Sequence, residues 1–228
     1  HLSCYALMYE PNTAMTRLRD QGRVTPCDEE LEADMFEMTI EVLASAGYEH
    51  YEISNFAKPG RRCVANMIYW ENREYLGIGP SAVSYLDGVR SKNVADVRKY
   101  VEIMRTEPAS AVIERERLDS MARWGETAVQ MLRLIDGIDV TLFQELTGVD
   151  PCELFADQIA RLSTMGLLTA DARRIRLTSR GLLVANRVMQ EFLPDSPVAL
   201  STPAPVASAG TSPGTIPLTI HDRQAPAV

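Results

Sequence analysis

Residues 1–9, HLSCYALMY, are apolar on both faces of an extended chain, with Leu2, Cys4, Ala6 and Met8 on one side and Tyr5 and Leu7 on the other. Apolar residues on both faces predict a strand covered on both sides, as in a parallel sheet or barrel. Glu10-Pro11-Asn12 ends it, and residues 12–25 read as a loop or short helix. Thr25-Pro26 then opens a predicted helix, because Thr can cap an N-terminus and Pro is tolerated at the first helical position. Asp28, Glu29 and Glu30 suit its positive end. Leu31, Met35, Met38 and Val42 share one face at helical spacing, and Gly47 stops the helix. A strand over Tyr48–Ser54 follows, so the order strand, helix, strand predicts a βαβ unit.

Further on, a second strand-like run covers Leu76–Tyr85, and Val94–Met104 reads as an amphipathic helix with Val94, Val97, Val101 and Met104 in register. Residues 109–118 read as a connector, which places a domain boundary near 118. Residues 119–193 then give helices at about 120–135 and 140–147 and a third starting at Asp150-Pro151, strands over Leu167–Thr169 and Ile175–Thr178, and a last helix over 179–192. Three helices, a hairpin and a helix predict a winged-helix-like arrangement. From Pro194 the chain is rich in Pro, Ala, Ser and Thr and nearly free of aromatics, which predicts a disordered tail over 194–228.

Residues 48–86 concentrate the candidate chemistry. Between the two strand-like runs lies a loop with Pro59, Gly60, Arg61, Arg62, Cys63, Asn66, Tyr69 and Trp70, and the second run carries Gly77-Ile78-Gly79-Pro80-Ser81-Ala82. Glycines inside a strand-like run mark a close backbone approach, by a ligand or by another part of the chain. Flanking aromatic and amide groups suit a flat ligand, and they equally suit a buried strand and turn. Glu52, Ser54 and Asn55 fall at the carboxyl end of a predicted strand, where barrel folds bind ligands; they also fit a solvated face.

The stretches YEISNFAKPG, ANMIYW and YLGIGPSAVSYLDG resemble the radical SAM coproporphyrinogen III oxidase-like family. That family includes anaerobic oxidases of heme biosynthesis and a heme-chaperone branch, HemW. HLSCYALMYEPNTAM and the stretch from about Glu126 to Leu193 share the resemblance. It implies an α/β fold: the C-terminal portion of a radical SAM partial barrel over 1–118, a HemN C-terminal-like helical domain over 119–193, and the tail. The family's [4Fe–4S] cluster needs three cysteines spaced C-x3-C-x2-C. Cys4, Cys27, Cys63 and Cys152 lie far apart, so this chain is expected to be the C-terminal part of a longer protein and inactive alone.

By the same resemblance, S-adenosylmethionine lies across the barrel mouth and heme is a further ligand. Ala6 and Val83 fall where the oxidase branch lines its site with alanine and an apolar residue. Gly77 and Gly79 let backbone approach a ligand. Asn66, Tyr69 and Trp70 are placed to stack on or hydrogen-bond to a porphyrin or a second cofactor molecule, and Glu52 completes the candidate set. Arg61 and Arg62 are suited to propionates or to a solvated loop. The chaperone branch has histidines where this chain has Ala65 and Val83. The expected activity is therefore an oxygen-independent coproporphyrinogen III oxidase-like reaction on a porphyrin, with a heme chaperone without turnover as the alternative.

Composition narrows the partners. A net charge of −8 argues against a nucleic-acid or anionic-membrane partner, and acids and bases nearly cancel across residues 119–193. No apolar run approaches a membrane span, and no signal peptide is visible. Four scattered cysteines suit a reducing compartment, so a cytoplasmic location is expected. The expected partners are a porphyrin or heme and the missing N-terminal barrel half.

Overall fold

A computed structural model describes residues 1–194. The chain enters as a two-residue strand, β1 (Leu2–Ser3), and reaches α1 (Ala14–Asp20), whose first turn is capped by the Thr13 hydroxyl accepting from Thr16 N–H at 3.2 Å. A 17-residue helix follows, α2 (Glu29–Ser45). Asp28 caps it in place of Thr25-Pro26, accepting from Glu30 N–H at 3.0 Å and Leu31 N–H at 3.4 Å. A carboxylate at the N-cap with three more in the first turn is the stronger start signal.

Two strands come next, β2 (Glu49–Glu52) and β3 (Asn55–Ala57), in the sheet order β1-β3-β2 with both pairings antiparallel. The parallel βαβ pairing predicted from the pattern does not form. Strands β1 and β2 run the same way, but the chain doubles back after Glu52 and β3 fills the place between them. The turn is set locally, since the Glu52 carboxylate accepts from Ser54 N–H at 2.9 Å and from the Asn55 amide. The expected covering of the first strand is also absent among the described residues: Tyr5 is 70% and Leu7 63% exposed. Leu31, Met35, Met38 and Val42 form the stripe on α2 that their spacing predicts, yet each is exposed.

The loop predicted after β3 contains a helix, α3 (Val64–Trp70), with Asn66 and Trp70 turned inward. A hairpin follows, β4 (Val83–Leu86) and β5 (Val89–Asn93), turned at Asp87-Gly88, both with positive φ as a two-residue hairpin turn requires. The predicted strand over Leu76–Tyr85 is real only from Val83, apart from a bridge between Tyr75 and Tyr85. Helix α4 (Val97–Thr106) is capped by Asp96. Of its predicted inward residues, Val94 is buried before the helix begins, whereas Val97, Val101 and Met104 are exposed. The predicted connector is a strand, β6 (Val112–Arg117), which completes the sheet β4-β5-β6.

Helix α5 (Ser120–Leu132) leads into β7 (Ile138–Asp139), α6 (Val140–Thr147), α7 (Pro151–Leu154), α8 (Ala156–Thr164), β8 (Leu168–Ala170), β9 (Arg174–Leu177), α9 (Ser179–Leu183) and α10 (Ala185–Gln190). The predicted third and last helices are each broken in two. At the first break Phe155 is buried edge-on to Phe143, with ring centroids 6.2 Å apart. Strand β7 has no counterpart in the elements the pattern predicts; it pairs with β9, which also pairs with β8, and the result is the winged-helix-like arrangement. Ile138, Phe143, Leu162, Leu168, Ile175 and Met189 form its buried core.

The described chain falls into two compact units. One combines His1–Arg73 with Thr127–Gln190; the other combines Glu74–Glu126 with the residues from Glu191. The predicted tail lies outside the described residues beyond Pro194. No helix among the described residues is long and apolar enough to cross a membrane.

Candidate functional site

Ala6, Glu52, Asn66, Tyr69 and Trp70 lie in the first unit, and Gly77, Gly79 and Val83 lie in the second. Within the first, Ala6 stands exposed in the extended segment after β1. The other four gather around the β2–β3 hairpin and α3.

Glu52 is fully buried. One oxygen takes the turn hydrogen bonds from Ser54 and Asn55; the other lies 2.6 Å from the Arg133 guanidinium, a charge contact rather than a well-aimed hydrogen bond. A buried carboxylate needs such a partner, because desolvating an isolated charge is costly. Glu52 is thus occupied by the protein itself.

Arg133, which the sequence pattern did not single out, is 6% exposed. Its guanidinium lies 4.6 Å from the centre of the Trp70 ring. Its carbonyl accepts from Ile53 N–H at 3.0 Å, and Ile135 N–H donates to the Tyr51 carbonyl at 3.1 Å. Residues 133–135 therefore pair with the open edge of β2, with Leu134 opposite Glu52. Gln130 and Arg133 lie within a run of α5 and the following turn that is buried all round. A cation in such a run needs an internal partner.

Trp70 is 8% exposed and packs with Tyr51, Ala57 and Leu134. It belongs to the core rather than to an open wall. Its indole N–H has no hydrogen-bond partner among the described residues. Asn66, also buried, hydrogen-bonds to the Tyr51 phenol, which in turn lies 2.8 Å from His1 Nε2. Burial pushes the phenol up from its ordinary pKa, against the opposing effect of the Asn66 hydrogen bond. Tyr69 is half-buried against the same core, so it is the candidate on α3 that reaches the surface. Arg62 lies over the Tyr51 ring at 5.6 Å and pairs with Asp136 at 3.2 Å and Glu49 at 3.8 Å, whereas Arg61 stands exposed.

In the second unit the two glycines have different surroundings. A Cβ on Gly77 would lie 2.2 Å from the Val83 carbonyl oxygen, so the close approach there is made by the chain's own backbone. Gly79 has φ +113° and open space where a side chain would be. Its N–H donates to Tyr100 Oη at 3.2 Å and its carbonyl accepts from the Asn93 amide at 3.0 Å. The turn is firmly held, yet Leu76 and Ile78 on it are 68% and 83% exposed. Val83 opens β4 opposite Lys92.

All four cysteines are free thiols, and no group of three or more His, Cys, Asp or Glu side chains among the described residues could hold a metal. An iron–sulfur cluster does not fit these residues. His50 is committed as well: its ring stacks on Phe56 at 4.4 Å and bonds the Ile53 carbonyl at 3.0 Å. His221 lies outside the described residues.

In sequence and in fold the chain is similar to the C-terminal part of radical SAM proteins of the coproporphyrinogen III oxidase-like family. Residues 118–184 match the HemN C-terminal domain. The chain is 35% identical over 195 residues to the heme chaperone HemW of Lactococcus lactis, covering 86% of this chain and 51% of that protein. It is 32% identical over 193 residues to the heme chaperone HemW of Bacillus subtilis, covering 85% and 51%. The chain thus spans about half the length of the curated relatives it matches. Its fold is also similar to that of the coproporphyrinogen III oxidase HemN from Escherichia coli, a radical SAM enzyme, with a TM-score of 0.57 and 19% identity over 78% of this chain and 45% of that one.

Proposed function

We propose that this chain is the C-terminal part of a heme-handling protein of the chaperone type, with heme or a related tetrapyrrole as its cargo. The observation that carries this reading is the identity above 30% to relatives named heme chaperones, against a likeness of fold alone to the oxidase. The expected oxidase activity therefore yields to its alternative. In this reading Tyr69 on α3 faces the ligand, with Glu52, Asn66 and Trp70 holding α3 from beneath, and the backbone at Gly79 is a separate point of ligand approach within the second unit. Arg61 is the exposed cation available to a propionate. Ala6 and Val83 serve S-adenosylmethionine, and that cofactor and the [4Fe–4S] cluster belong with the longer protein. The remaining barrel would cover the exposed stripe of α2. We keep the domain boundary near residue 118, and a cytoplasmic setting, as parts of this proposal.

The chemistry these residues supply is binding without turnover. Apolar and aromatic surface takes the macrocycle, and a cation takes a carboxylate. Axial ligation by His50 is disfavoured, because its imidazole is already stacked and hydrogen-bonded. Hemin titration of this chain, followed by the Soret band, tests the proposal. Saturable binding that Tyr69→Ala weakens is expected. Absence of binding, or conversion of coproporphyrinogen III by the longer reconstituted protein, would overturn it.

A further inference from the structure

The buried pair Glu52–Arg133 joins two parts of the chain that are distant in sequence. Arg133 follows α5, inside the residues that match the HemN C-terminal domain, and Glu52 ends β2. Its backbone completes the β2 edge while its guanidinium meets both Glu52 and the face of Trp70. Trp70 is the last residue of α3, the helix that carries Tyr69. We infer that Arg133 is a positioning residue, through which the C-terminal domain sets the orientation of α3 and hence the ligand affinity of its outer face.

Three features separate this role from ordinary packing. The guanidinium is planar and charged, and it lies over the indole, an arrangement that fixes ring orientation as well as filling space. The indole N–H has no hydrogen-bond partner among the described residues, so no hydrogen bond there fixes the ring independently. The helix is only seven residues long and Cys63 gives it no side-chain cap, so it depends on tertiary contacts for its place. The inference rests on the reading of α3 as ligand-facing.

Its test uses the whole chain with Trp124→Phe, which leaves Trp70 as the sole indole reporter. The paired variant Glu52→Gln/Arg133→Met removes both charges together, so no buried charge is left unpaired. Arg133→Lys keeps the ion pair but not the plane over the ring. Both variants are expected to melt close to the parent, to show red-shifted and more readily quenched Trp70 emission, and to bind hemin about tenfold more weakly. Parental emission together with parental hemin affinity in folded variants would overturn the inference. Should the paired variant fail to fold, Arg133→Lys decides by the same two readouts. If the parent binds no hemin, the proposed function fails while Trp70 emission still decides whether Arg133 positions α3.

Discussion

Gly77→Ala and Gly79→Ala should separate two reasons for placing a glycine in the same turn. A methyl on Gly77 would meet the Val83 carbonyl oxygen at 2.2 Å, its carbon at 2.7 Å and its nitrogen at 2.8 Å. The first distance is about 1 Å inside even a close C–H···O contact. The obstructing atoms are backbone at the start of β4, paired across to β5, and Gly77 N–H is itself held by the Ser84 hydroxyl at 2.9 Å. Neither partner can swing aside as a side chain would. The cost should sit at the upper end for overpacking, about 3 kcal/mol. For a chain of this size that corresponds to a loss of about 6–12 °C in melting temperature. At Gly79 nothing lies within 4 Å, and the cost comes only from the φ of +113°. That is about 1–2 kcal/mol. Thermal melting by circular dichroism, with hemin titration of the same proteins, reads both effects. Gly77→Ala should lose more stability, and Gly79→Ala should lose proportionally more hemin affinity. A Gly77→Ala protein that melts with the parent would refute the steric argument. Unchanged affinity in Gly79→Ala would remove the glycine from the ligand site.

Burial lowers the pKa of His50 below 6.5, so the folded state resists protonation more than the unfolded chain does. Its contribution to stability is present above the unfolded value and is lost as pH falls from there through the lowered folded value. The parent should therefore lose more melting temperature between neutral pH and mild acid than His50→Gln, and equal slopes would contradict this. Met35→Ser/Met38→Ser changes two exposed residues of α2, so this chain should lose no more than about 1 kcal/mol. In a longer protein that carries the remaining barrel the same change should cost several-fold more, and equal losses by chemical denaturation would show that the stripe stays uncovered. Anaerobic reconstitution of this chain with iron and sulfide should give no stoichiometric [4Fe–4S] absorbance, because its cysteines are dispersed; a full cluster signal would contradict the site assignment.

The sequence by itself determined the elements whose cause is local. Carboxylates in the first turn marked α2 even where the cap was misplaced by three residues. Gly148 ended α6 in the left-handed conformation, and Asp150-Pro151 opened α7. The apolar spacing of residues 119–193 was enough for the winged-helix-like order, and the resemblance of three short stretches was enough for the family. The periodicity of α2 and α4 was also legible. What periodicity cannot say is what covers a stripe: Val97 and Met38 carry the pattern of buried residues and stand exposed.

Only the tertiary structure decided the rest. Strand β3 lies between β1 and β2 because a buried carboxylate and an amide close the turn at Ile53-Ser54, where no glycine or proline announces one. Helix α3 forms from VANMIYW, with β-branched and aromatic residues of modest helix propensity, because Asn66 and Trp70 are buried by partners far along the chain. Glu52 looked like a ligand group because it falls at the carboxyl end of a predicted strand, and it became an internal one because Arg133 arrives from 81 positions away. Hydrogen bonding within a turn acts over a few residues and can be read in order. The partner of a buried charge is set by which chain segments the fold brings together, and one-dimensional spacing does not carry that information.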